Sequence, residues 1–259
     1  MRLSLLWLSG SFLALALLEV GCNSTTTDNS TTTTQSATGV WSGTDSVSGL
    51  GVTAIINSAG QATFMRSDGV QFTGSAQVSG SSLAVTVDGY PDFNATFSDG
   101  STYGIGTLDG TVSSGSTLTA TLTFTTNGNT SITGNWSLSY EALSTTSSSL
   151  SAISGNYTDT VTGAVIAIST LGVMSGQTAS NSCALNGSVS TSDSTTNVYE
   201  VAYSYSGCTG TYAVLNGVQF TGLATLNPNL SPAQILMGVA GASGTTGDKY
   251  AIISSLTAS

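Results

Sequence analysis

Residues Thr117 to Thr126 read TLTATLTFTT, with Leu118, Ala120, Leu122 and Phe124 set against Thr at every other position. A period of two places all the apolar side chains on one face of an extended strand, an arrangement that a helix of 3.6-residue period cannot use. The alternation returns at Val198 to Ser206, where Tyr199, Val201, Tyr203 and Tyr205 share one face and Val198, Glu200, Ala202 and Ser204 the other. Asx-Gly dipeptides punctuate the chain at Asp68-Gly69, Asp88-Gly89, Asp99-Gly100, Asp109-Gly110, Asn127-Gly128, Asn186-Gly187 and Asn216-Gly217. Such dipeptides signal hairpins, because both central residues of a type I′ turn need positive φ. Short half-buried strands joined in this way predict an all-β chain of antiparallel meanders, closed into barrels or folded as sandwiches.

The pattern runs through the chain twice. Gly39-Val40-Trp41 opens one run, with Gly60, Gly74 and Gly110 following at spacings of 19, 14 and 36. Gly155-Asn156-Tyr157 opens the other, with Gly172, Gly187 and Gly222 at 15, 15 and 35. Two modules are predicted, 39–141 and 153–259, joined by the Ser/Thr-rich linker 142–152; each has ordinary domain size. The hexapeptide Gly-Val-Gln-Phe-Thr-Gly stands at Gly69 to Gly74 and again at Gly217 to Gly222. These copies fall at non-equivalent places in the repeat, which points to convergence on one turn-and-strand solution.

Ahead of the modules, residues 1–21 carry Arg2, an apolar run from Leu3 to Leu18, and a small residue before Cys22. This is the pattern of an export signal, and the run is too short for a membrane span. Residues 22–38 are Ser/Thr/Asn-rich with no large apolar side chain, so they are expected to form a disordered tether.

The chain has 3 basic and 13 acidic residues, no histidine and a formal net charge of -10. Two basic side chains beyond the signal cannot make the clustered positive surface that phosphate backbones require, so nucleic acid is excluded as a partner. The lack of histidine removes Ser-His-Asp and Cys-His nucleophiles and imidazole metal sites.

Gly21-Cys22 at the end of the apolar run resembles a bacterial lipobox, departing from it at Glu19. That resemblance implies acylation of Cys22 and a lipid anchor in the cell envelope, with Asn23 directing the protein to the outer membrane. Gly39-x-Trp41 and Gly155-x-Tyr157 resemble the start of lipocalin-type barrels, in which an aromatic on the first strand plugs the closed end. Tyr140 to Tyr157 and the segment from Cys183 to Cys208 resemble a group of uncharacterised Gram-negative lipoproteins. The resemblance implies tandem lipocalin-like modules and carries over no catalytic residue, cofactor or metal site.

Cys183 and Cys208 are the remaining cysteines, and in an exported chain such a pair is expected to form a disulfide. A hairpin turning near Asp193 to Thr196 sets them at adjacent strand ends, and neither a C-x-x-C spacing nor a basic neighbour suits a redox thiol. Asp88, Asp92, Asn94, Asp99 and Asp109 gather oxygen ligands, yet fit no known calcium loop, and turn formation accounts for most of them. Tyr199, Tyr203, Tyr205 and Tyr212 read as barrel wall or core, with an aromatic ligand platform as the alternative. A membrane-spanning barrel would need apolar outer faces, which Thr-faced strands do not supply. The expected function is a non-catalytic structural or interaction module of the envelope; the alternative is a binder that holds a small apolar ligand in a barrel mouth.

Overall fold

The computed structural model describes residues 34–160, 162–178 and 183–259. The signal segment 1–21, the anchor residue Cys22 and most of the tether lie outside the described residues. The first module comprises β1 (Gly39–Asp45), β2 (Gly51–Ile56), β3 (Gln61–Arg66), β4 (Gln71–Ser79), β5 (Ser82–Tyr90), β6 (Gly104–Ser113), β7 (Thr117–Thr126) and β8 (Ser131–Tyr140). The second comprises β9 (Gly155–Asp159), β10 (Val165–Ile168), β11 (Val173–Gln177), β12 (Ala184–Thr191), β13 (Tyr199–Ser206), β14 (Gln219–Asn227), β15 (Gln234–Ala242) and β16 (Lys249–Ala258). Each set pairs antiparallel with its sequence neighbours and closes, β8 on β1 and β16 on β9, into an eight-stranded barrel. Of the two architectures the alternation allowed, the chain adopts barrels.

The repeat holds in three dimensions. Trp41 donates its indole N–H to the carbonyl of Ala37 at 2.8 Å, and Tyr157 donates its hydroxyl to Ile153 O, also four residues back, at 2.8 Å. Gly60 and Gly172, at φ +84 and +78, occupy the turn between second and third strands in each barrel. Gly74 and Gly187 fall on the fourth strands, Gly110 and Gly222 on the sixth. The mismatch in the first spacing has a simple origin: β9 and β10 have 5 and 4 residues where β1 and β2 have 7 and 6. The opening hairpin of the second barrel is shorter by two residues on each strand, which is the difference between spacings of 19 and 15.

The turns depart from the expectation. Asp88-Gly89, Asp109-Gly110 and Asn186-Gly187 lie inside β5, β6 and β12 rather than at hairpin tips. At Gly89 a Cβ would come within 2.3 Å of the Phe124 ring, so glycine there makes room for an aromatic in the barrel. At Gly100, Gly217 and Gly69 (+86, between Arg66 and Val70) the glycine of a turning Asx-Gly pair takes positive φ and its partner does not, whereas after Asn127-Gly128 it is Asn129 that does. Arg66 N–H bonds to Val70 O and Gly69 N–H to Arg66 O, the pattern of a three-residue loop ending in a glycine bulge. That loop asks left-handed backbone of one residue instead of two.

Both interiors are filled. In the first barrel Trp41, Phe64, Phe72, Phe124 and Trp136 are fully buried, with Phe72 5.3 Å from Phe124 and 5.7 Å from Trp136 between ring centroids. In the second, Tyr199, Tyr203 and Phe220 are buried with Ile166, Met174 and Leu185. An eight-stranded barrel is just wide enough for its own side chains to fill. The outer face of β7 is an exposed row of Thr, the reverse of a lipid-facing strand. Among the described residues no helix is long and apolar enough to cross a membrane.

The barrels pack side by side, the outer faces of β2–β5 against those of β14–β16. Ile55, Met65 and Leu223 are buried between them with Val40 and Val198, and Leu236 and Ile253 pack against this layer. A Cβ on Gly238 would stand 2.7 Å from Thr63 Cγ2 and 2.9 Å from Met65 Sδ, so β15 meets β3 at a point where only glycine fits without displacement. Asn57 donates to Glu200 across the seam at 2.9 Å. The linker is part of this contact. Ser144 exchanges hydrogen bonds with the backbone of Val40 at 2.8 and 3.0 Å, while Ser148 donates to Asp193 O at 2.9 Å. At the other end of the first module, Gln35 and Ser36, grouped with the tether by composition, hydrogen bond to Gly80 and Ser114.

The seam makes a prediction. Gly238→Val should lower stability by about 1–3 kcal/mol while leaving the circular dichroism of the strands unchanged. Chemical denaturation checks the cost, and an unchanged midpoint would show that the barrels do not depend on this contact.

Candidate functional site

Cys183 and Cys208 are bonded to each other. Ala184 pairs with Ser206 at the last rung of the β12–β13 hairpin, which leaves the two cysteines just beyond it. The expected turn is present: Asp193 accepts from Thr195 N at 2.8 Å and from its hydroxyl at 2.7 Å. Cys208 leads into the 3-10 segment Gly210–Leu215, whose Leu215 is buried in the core of the second barrel, so the bridge fastens this segment to the start of β12. Replacing both cysteines by Ser should cost roughly 2–5 kcal/mol, read as a lower urea midpoint with strand content retained. Two free thiols in the non-reduced protein would refute the bridge.

The acidic group of the first module does not converge. Asp99 accepts from Ser101 and Thr126 and ties the loop before β6 to the end of β7. The Ser101 hydroxyl, then that of Thr126, holds its carboxyl well below the usual range. Asp92 accepts from Phe93 N at 2.8 Å, and Asp109 stands within β6. Asn94 takes a left-handed conformation at φ 68. Asp88 accepts from the Tyr103 hydroxyl and faces Lys249 Nζ, 3.5 Å away on the other barrel. Lys249 Nζ also sits 3.8 Å from the Tyr103 ring centroid. Among the described residues no three of His, Cys, Asp and Glu come together.

The tyrosines divide. Tyr199 and Tyr203 are buried inside the second barrel and Tyr205 lies partly buried beside them, 5.3 Å from Tyr203 between centroids. Burial pushes the Tyr203 hydroxyl well above its ordinary range. Tyr212 instead packs on Phe93 of the first barrel, 5.0 Å between centroids. Phe93 belongs to the loop 91–103, and four residues further on Phe97 packs on Phe124 at 5.5 Å. One loop thus sends an aromatic plug to each barrel: Phe97 to its own and Phe93 to the other.

One acidic residue absent from the sequence candidates has a structural duty at the end of β1. Asp45 is fully buried and accepts from Val47 N (3.0 Å), Asn135 N (2.9 Å) and Ser48 Oγ (2.7 Å). Burial pushes its carboxyl up, but the Ser48 hydroxyl and the two backbone N–H groups outweigh this and leave it below the usual value. A depressed carboxyl contributes stability that is full above the unfolded pKa near 3.9 and is lost as pH falls through the lower folded value. Denaturation midpoints should therefore fall below about pH 4, and less steeply in Asp45→Asn than in the parent. Asp45→Ala, which orphans three donors, should cost about 1–3 kcal/mol.

One concavity, about 230 Å³, opens beside Ala37, Ile56, Ala76 and Val78 of the first barrel. Another concavity lies on the seam, about 360 Å³, and is walled by Gln61, Thr63 and Thr73 of the first barrel and Thr221 of the second, with Asp88 and Lys249 at one side. It runs on past Gln61, Thr221 and Gly222 toward Glu200. Burial first, and then the charge of Asp88, pushes the Tyr90 hydroxyl beside it up to about 12. No single strand's pattern reveals this cleft, since its walls come from two barrels. No protein-family model matches the chain, and no curated protein is significantly similar to it.

Proposed function

We propose that the protein is a non-catalytic envelope lipoprotein, anchored by acyl chains on Cys22 to the outer membrane, whose fused barrels serve as a structural or interaction module. The observation that carries this reading is the packing of both barrel interiors with the chain's own aromatic and aliphatic side chains. A barrel-mouth binder needs a concavity of several hundred Å³ among apolar walls. Here Phe97 packs into the core of the first barrel, and Phe93, Tyr212 and Leu215 against that of the second. The side chains that could do chemistry have structural duties: the thiols are bonded, while Asp45, Asp99 and Asp193 cap turns. The polar outer faces and the Ser/Thr/Asn tether suit a body held off a membrane rather than within it.

Replacing Cys22 by Ser should abolish acyl labelling and release the protein from the membrane fraction. Retention in that fraction without label would overturn the anchor. Native mass spectrometry of the envelope-purified protein should show no co-purifying apolar small molecule; a stoichiometric one would favour the ligand binder.

A further inference from the structure

The hexapeptide Gly-Val-Gln-Phe-Thr-Gly occurs on the fourth strand of one barrel and the sixth of the other, so equivalence within the repeat does not explain it. The fold nevertheless brings both copies to one place. Phe72 and Phe220 point into their own barrels, whereas Thr73-Gly74 and Thr221-Gly222 line the same seam cleft. We propose that this cleft is a binding site for an uncharged, hydroxyl-rich ligand, a saccharide unit of an envelope glycan. This rests on reading the body as a non-catalytic interaction module and is independent of the anchor.

Its size, about 360 Å³, is within the range of small-molecule sites. Its walls offer the amide of Gln61 and the hydroxyls of Thr73 and Thr221. Thr63 is 1% exposed, and its hydroxyl has no hydrogen-bond partner in the structure. That oxygen lies behind the cleft wall, closed off from solvent, so the groups that can meet a ligand are the more exposed ones in front of it. Asp88 and Lys249 cancel in charge, 3.5 Å apart, and between them can accept from and donate to neighbouring hydroxyls of a sugar ring. A net charge of -10 disfavours an anionic ligand. An extended peptide would ordinarily join a free strand edge, and both barrels are closed. Ala240 and Ala242 supply small apolar surface for the C–H face of a ring.

The test is isothermal titration of the full mature chain, solubilised in detergent, with chitotetraose, cellotetraose and maltotetraose, and with polygalacturonate as the anionic control. At least one neutral oligosaccharide should bind at millimolar concentration or below and be recovered at its original length. Thr221→Val and Lys249→Met should each weaken binding roughly tenfold or more. Thr221 is exposed and Lys249 half-buried, so neither change disturbs a core and both variants test the site in a folded protein. No binding of any neutral oligosaccharide, binding of polygalacturonate alone, or binding untouched by Thr221→Val and Lys249→Met overturns the proposal. Shortened oligosaccharides with variant-sensitive binding would instead uphold the cleft and overturn the non-catalytic reading.

Discussion

A closed barrel has no strand edge to offer, and the two barrels here are fused by setting one outer wall against another. That contact governs the arrangement of this protein. Gly238, Ala240 and Ala251 keep the facing wall of the second barrel low, and Ile55, Met65 and Leu223 fill the space between with apolar surface. Because outer walls of barrels are otherwise solvated, the seam also encloses polar side chains. Thr63, Gln71 and Thr225 are buried with side-chain atoms that have no partner in the structure. A buried amide such as that of Gln71 weakens the contact unless water or a neighbour satisfies it. The two barrel cores bury aromatic and aliphatic side chains for the most part.

Filling the barrels moves any recognition to the outside. Small inward residues would have left a hollow; instead glycines such as Gly89 stand beneath large rings such as Phe124, and the volume is taken up. The loop 91–103 adds a second constraint, since Phe93 and Phe97 plug different barrels from one short stretch of chain. Motion of either barrel against the other would have to withdraw Phe93 from Tyr212 and Tyr250.

Charge is used sparingly and locally. Arg66 is paired with Asp68 on its own hairpin, whereas Lys249 reaches over the seam to Asp88 and Tyr103. A partly exposed pair of this kind contributes little stability by itself. Its consequence is local: it places the second barrel's lysine at the wall of a cleft lined by Thr, Gln and small residues.

The alternation of β7 and β13, the two aromatic openings and the glycine spacing were enough to specify two antiparallel all-β modules in tandem, because side-chain period and turn chemistry are local properties of the chain. The Cys183–Cys208 bridge was legible for the same reason: strand, Asx turn and strand bring its ends together without help from elsewhere. Asp88-Gly89 and its like were misleading because the same dipeptide serves a hairpin tip and a crowded barrel wall, and only neighbours distant in sequence distinguish the two. A partial signal of the seam was present in Gly222-Leu-Ala-Thr-Leu-Asn227 and Ile235-Leu-Met-Gly-Val-Ala240, near-continuous apolar runs of the sort that strands buried on both faces carry. What those outer faces meet could not be read from them. The sequence by itself determined which residues point in and which point out, since that follows from a period of two; the tertiary structure alone decided which outward faces meet, since that depends on shape complementarity between surfaces more than 100 residues apart, and with it where Thr73, Thr221, Asp88 and Lys249 converge.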